Sequence, residues 1–159
     1  MALELQFDGG QPHQLAAVRA VVDLFAGQPL RDAAATLASA NVAGQVRTRL
    51  GLANAIQLAD PALLANTRRI QERHGIRPLA QSLAGRHFSL EMETGTGKTY
   101  TYLRTIFELD RRYGFSRYVI LVPSVAIREG VLKSVAITRA HSASLYDGCA
   151  LACALSDSK

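Results

Sequence analysis

The segment Met92-Glu93-Thr94-Gly95-Thr96-Gly97-Lys98-Thr99 gathers two glycines, a lysine and three threonines within eight positions. Gly95 and Gly97 can take backbone dihedrals that residues with side chains avoid, so successive N–H groups can turn toward one point and make a concave anion site. A helix starting directly after the glycines adds the unpaired amides of its first turn and the positive end of its dipole. Lys98 then reaches toward the β- and γ-phosphates of a nucleoside triphosphate and Thr99 offers its hydroxyl to Mg²⁺, while Thr94, Gly95, Thr96 and Gly97 form the cradle. The expected chemistry is binding of ATP with Mg²⁺, with Lys98 and Thr99 as the groups that act on it. The strict spacing G-x-x-x-x-G-K-[ST] asks for glycine at position 92, where the chain has Met92. The plainer alternative is a glycine turn between a strand and a helix that happens to contain Lys-Thr. Glu91 and Glu93 read as exposed strand residues without a role.

Such a loop works only between the elements that aim it. The run HFSLEME at 87 to 93 alternates Phe88, Leu90 and Met92 as a strand does. After the loop, Tyr102, Ile106, Leu109 and Tyr113 predict the inward face of a helix from Lys98 to Tyr113, with Glu108 and Arg112 as a surface pair four apart and Gly114 as the stop. Tyr118-Val119-Ile120-Leu121-Val122 is continuously apolar and mostly β-branched, which predicts a strand covered on both faces, ended by Pro123. Ile127, Val131 and Val135 predict a helix from about Ala126 to Val135. Strand, turn, helix, strand and helix in this order predict an α/β fold with a parallel sheet flanked by helices.

Ahead of the loop, Leu3, Leu5 and Phe7 suggest a short strand or extended arm broken by Asp8-Gly9-Gly10. A helix follows, with Pro12 in its first turn, Leu15, Val18, Val22 and Phe25 at helical spacing, and Gly27 with Pro29 as the stop. Residues 28 to 86, rich in Ala, Leu and Arg, read as a helical insertion. Its best-punctuated helix has Asp60 as cap, Pro61 in the first turn, Leu64 and Ile70 facing inward, and Gly75 at the end. Residues 148 to 159 are a divergent small-residue tail.

The 159 residues suit a single domain, and 48% apolar with 19% charged residues is the composition of a folded chain. The net charge of +5, from 18 Lys and Arg against 13 Asp and Glu, suits a polyanionic partner, although spread-out basic residues also suit a solvated surface. No signal segment and no apolar run of membrane-spanning length is visible, so a cytoplasmic location without a membrane is expected. Cys149 and Cys153 have neither zinc nor redox spacing and read as free thiols on one helix face.

Residues 92 to 134, METGTGKTYTYLRTIFELDRRYGFSRYVILVPSVAIREGVLKS, resemble the motor domain of superfamily 2 helicases, most closely the restriction (Res) subunit of type III restriction-modification enzymes. QFDGGQPHQLAAVRAVVDLFAGQ at 6 to 28 looks like the N-terminal stretch of that family, and NTRRIQERHGI at 66 to 76 fits its helical insertion. The resemblance covers most of residues 3 to 147 and implies a partial RecA-like P-loop NTPase domain over residues 1 to 147. In the family a methionine or alanine is usual at the first glycine of the loop, which accommodates Met92. The resemblance implies that Gln14 reads the adenine edge; without it, Gln14 would read as an exposed helix residue. It also implies that Pro123-Ser124-Val125-Ala126-Ile127-Arg128 is the family's motif Ia, with Ser124 and Arg128 touching the backbone of one nucleic-acid strand, and that the motor acts on double-stranded DNA. A hydroxyl, a guanidinium and a helix N-terminus can all bond phosphates without reading sequence. The competing reading is a capping Ser124 and a solvated Arg128. A modification methyltransferase subunit is the implied protein partner.

Past Thr99 the acids are Glu108, Asp110, Glu129, Asp147 and Asp157, and none follows a run of four or more apolar residues, so the family's DExx element is absent. The second motor domain and the nuclease are absent too, and the resemblance fades after Leu145-Tyr146-Asp147. The expectation is a truncated or frame-shifted motor segment that binds nucleotide weakly and hydrolyses it poorly. A non-catalytic nucleotide- or DNA-binding fragment is the alternative. A small-molecule kinase fits worse, because the residues after the loop match motif Ia rather than a lid.

Overall fold

The computed structural model describes residues 8–30, 54–148 and 151–156. They fall into two compact units, of which the larger is Pro12–Val119. Three helices build this unit: α1 (Pro12–Asp23), α2 (Asp60–Arg73) and α3 (Lys98–Tyr113). The described residues outside it carry α4 (Val125–Leu145).

α1 packs on α3 and, through a smaller contact, on α2. Val18 and Val22 of α1 meet Leu109 and Tyr113 of α3 and Phe115 beyond it, with Phe25 and Tyr118 packed at the margin. Phe25 stands edge-on to Phe115 at 5.3 Å between ring centres, a geometry that sets a ring edge against a π-face. The buried Tyr113 hydroxyl donates to the Val22 carbonyl at 3.0 Å, tying α3 to the last turn of α1.

α3 matches its expected bounds because both ends are punctuated: Gly97 and Gly114 are left-handed, and the Gly114 N–H donates to the Asp110 carbonyl at 2.7 Å. Glu108 and Arg112 form the expected pair at 3.7 Å. In α2 the inward residues are displaced from expectation. Leu63 and Asn66 are buried, whereas Leu64 and Ile70 are half-buried. Asn66 donates to the carbonyls of Leu24 and Ala26, both at 2.9 Å, so a polar side chain occupies a core position to satisfy the turns that end α1. α4 runs ten residues past its expected end at Val135.

The expected parallel sheet is not there. Among the described residues the structure has four helices and no strand, which overturns the α/β, RecA-like reading. An extended segment becomes a strand only when a neighbour completes its hydrogen-bond ladder, and residues 87–93 and 118–122 have no such ladder. Val119 and Leu121 are 85% and 89% exposed, where the doubly covered strand needs them buried. Alternation and β-branching record a local preference but cannot supply the partner that a strand needs. The expected first strand at residues 3 to 7 lies outside the described residues, as do residues 31–53 within the expected insertion.

Candidate functional site

The glycine-rich loop sits at the N-terminus of α3. Gly95 and Gly97 have φ of +81° and +85°, the left-handed region that favours glycine. No side chain caps α3. The positive end of the dipole of this 16-residue helix faces the loop, and the Thr101 N–H donates to the Gly97 carbonyl at 2.9 Å. Lys98 is exposed and its Nζ donates to the Glu93 carbonyl at 2.6 Å, while Thr96 Oγ1 donates to the same carbonyl at 2.7 Å. Thr94 and Gly95 are exposed, whereas Thr96, Gly97 and Thr99 are half-buried.

Thr99 lies against Tyr102. Burial raises the Tyr102 hydroxyl above the usual tyrosine range, and the Thr99 hydroxyl offsets this in part. One turn into the helix, the Thr101 side chain is 1% exposed and its hydroxyl has no hydrogen-bond partner.

From α1, the Gln14 amide nitrogen donates to the Thr96 carbonyl at 2.9 Å, so the structure brings Gln14 and the loop together. His13 reaches the same oxygen at 3.2 Å through Nε2, which must carry a proton to donate there. Sequence reasoning gave His13 no part; its position beside Gln14 in the first turn of α1 was the available signal. It also missed the Glu93 carbonyl, which no side-chain pattern encodes.

Ser124 and Arg128 belong to the other unit. Ser124 is the N-cap of α4, its Oγ accepting from the Ile127 N–H at 3.3 Å, and Arg128 pairs with Glu129 at 3.4 Å. The capping half of the plainer reading is thus seen in place, whereas the Arg128 side chain is only 27% exposed rather than fully solvated.

Among the described residues no group of three or more His, Cys, Asp or Glu is placed to hold a metal ion, and Cys153 is exposed and free. No described helix is long and apolar enough to cross a membrane.

Two left-handed glycines thus precede a helix that no side chain caps and that begins with a lysine. Residues 11–148 match the family described as "Type III restriction enzyme, res subunit", and the chain belongs to that family. It is 32% identical over 134 residues to the type III restriction-modification enzyme EcoPI Res subunit of Escherichia phage P1, covering 83% of this chain and 13% of that protein. It is likewise 32% identical over 123 residues to the EcoP15I Res subunit of Escherichia coli, covering 76% of this chain and 12% of that protein. A shorter match, 40% over 63 residues, is to the StyLTI Res subunit of Salmonella typhimurium, covering 38% of this chain and 6% of that protein. The chain thus spans about an eighth of the length of the first two relatives.

Proposed function

We propose that residues 94 to 99 bind the phosphates of ATP with Mg²⁺, and that the chain is the nucleotide-binding segment of the DNA-acting, helicase-like motor of a type III restriction enzyme Res subunit. One observation carries this reading: two left-handed glycines deliver the chain to the uncapped N-terminus of α3, with the Lys98 ammonium held across the same loop. An anion placed there meets helix amides and a lysine together. A Cβ at Gly95 would meet nothing within 4 Å, so the loop has open space on that side. With no carboxylate cluster nearby among the described residues, Mg²⁺ would depend on phosphate oxygens and the Thr99 hydroxyl.

Gln14 reads the adenine edge in this proposal, and its place against Thr96 supports it. Ser124 and Arg128 contact the backbone of double-stranded DNA. The Ser124 hydroxyl accepts as a cap yet can still donate to a phosphate oxygen. The relatives are subunits of restriction-modification enzymes, so a modification methyltransferase subunit is the proposed protein partner. In this proposal turnover by residues 1 to 159 alone is low, because no acid past Thr99 follows a run of four or more apolar residues, the place of an acid that orients water.

Titrating a fluorescent ATP analogue into the chain tests the proposal. Binding that Mg²⁺ strengthens and that falls at least about tenfold in Lys98→Ala supports it, the loss expected of a charge-assisted hydrogen bond. Equal affinity of the two proteins would remove it. DNA-stimulated phosphate release by the chain alone would contradict the low-turnover claim while leaving the binding claim standing.

A further inference from the structure

Two side chains of α1 converge on one backbone atom of the glycine-rich loop. Gln14 Nε2 donates to the Thr96 carbonyl at 2.9 Å, and His13 Nε2 reaches the same oxygen at 3.2 Å. A carbonyl oxygen has two lone pairs, so both donors can be served at once. Neither side chain belongs to the core, since His13 is exposed and Gln14 half-buried. α1 itself is held further along, where Val18 and Val22 pack with Leu109 and Tyr113 of α3. The two contacts thus tether the loop to a helix whose own place is set by buried side chains.

What the tether fixes is a direction. The Thr96–Gly97 peptide is planar and trans, so its N–H points opposite to its carbonyl. With the Thr96 oxygen held toward α1, the Gly97 N–H is turned away from α1. Gly97 has φ of +85°, and glycine takes negative φ about as readily, so the backbone by itself does not keep this peptide from flipping. That task falls to the donors on the oxygen. We infer that His13 is a positioning residue of the nucleotide site: by donating to the Thr96 carbonyl, it fixes the direction in which the Gly97 N–H is offered to a phosphate. The inference rests on the proposal that residues 94 to 99 bind a triphosphate, and it gives His13 no contact with the nucleotide.

The test uses the full chain with Mg²⁺ and two probes, a fluorescent ATP analogue and inorganic tripolyphosphate as its competitor. His13→Phe keeps a ring but removes the donor, and should weaken both ligands about three- to tenfold, the worth of one hydrogen bond. His13→Gln sets an amide N–H where Nε2 stood and should restore affinity, whereas the shorter His13→Asn should not. With Gln14→Ala already in place, His13→Phe should cost more tripolyphosphate affinity than it does alone, because no second donor remains on the carbonyl. By NMR the Gly97 amide nitrogen, conjugated with the Thr96 carbonyl, should shift in His13→Phe and return toward its native position in His13→Gln. Circular dichroism of each variant excludes unfolding as the cause. A loss confined to the ATP analogue, with tripolyphosphate unaffected, would make His13 a base contact and overturn the inference. Unchanged affinity of His13→Phe for both probes overturns it as well, while leaving nucleotide binding at the loop intact. Absence of binding by the unaltered chain removes the underlying reading, and the inference with it.

Discussion

A β-carbon placed on Gly97 would stand 2.5 Å from Gln14 Nε2, so the side chain reaching over from α1 already fills the room beside the loop. Gly95 has a similar left-handed backbone but open space around it, and the two glycines therefore carry different demands.

Gly95→Ala should cost about 1–2 kcal/mol, the penalty of the left-handed region for a residue with a side chain. Gly97→Ala should cost about 1 kcal/mol more, because it also evicts the Gln14 amide from Thr96. Gln14→Ala should then cost about 1 kcal/mol in the native background and close to nothing beside Gly97→Ala. A double-mutant cycle by urea denaturation reads this coupling. Simple additivity of the two changes would show that Gln14 and Gly97 do not share that space.

Thr99→Val should leave nucleotide binding in chelator intact while removing most of the gain on adding Mg²⁺, and Thr99→Ser should restore the gain. The valine keeps the branched shape and lacks only the hydroxyl oxygen offered to the metal. A full Mg²⁺ effect in Thr99→Val, followed with the fluorescent ATP analogue, would take the metal role away from this residue.

Two polar residues near the end of α1 differ sharply in expected worth. Asn66→Ala should destabilise by about 1–3 kcal/mol, since it strips the Leu24 and Ala26 carbonyls of their donor at a buried position. Arg73→Ala should cost less than about 1 kcal/mol, because its 2.6 Å pair with Asp23 is solvent-facing, with the arginine side chain 45% exposed. Thermal denaturation ranks them, and the reverse order would refute the argument from burial.

Burial lifts the Tyr118 hydroxyl far above the ordinary tyrosine range, and the Asp110 carboxylate adds to the lift. The hydroxyl donates to the Phe115 carbonyl at 2.7 Å, with the Ile106 carbonyl 3.2 Å away. Because the folded-state value is raised, the neutral phenol favours the fold: its contribution is fully present below about pH 10, the ordinary tyrosine value, and is lost as pH rises through the folded value. Stability should therefore fall from about pH 10 upward, and Tyr118→Phe should flatten that fall. Asp110→Asn should lower the Tyr118 titration, followed by tyrosinate absorbance. An unmoved titration would place the cause in burial alone.

The helices were legible where the sequence punctuates them. Gly97 and Gly114 bracket α3, and Pro61 with Gly75 bracket α2 to within two residues at its end. α4 was read short because its last ten residues mix small and polar side chains on every face, and only Thr138 in the helix is buried. The exchange of Leu64 for Leu63 in α2 has a similar origin: adjacent leucines satisfy a helical spacing equally well, and the choice falls to the Asn66 bonds, which join positions about 40 residues apart. The sheet was misread because residues 118–122 record a preference for extension, while a strand is a property of two segments. At the loop, the types and order of residues were plain from the sequence, but the partners His13, Gln14 and the Glu93 carbonyl come from the meeting of α1 with the start of α3.

The Glu93 carbonyl, which receives both Lys98 and Thr96, gives the resting loop an internal rival for any incoming phosphate. A triphosphate that draws Lys98 outward must leave that oxygen to Thr96 or to water. The affinity of the loop is then set by an exchange of acceptors, and substitutions that change how well Glu93 is served when the lysine departs will move it without touching the nucleotide.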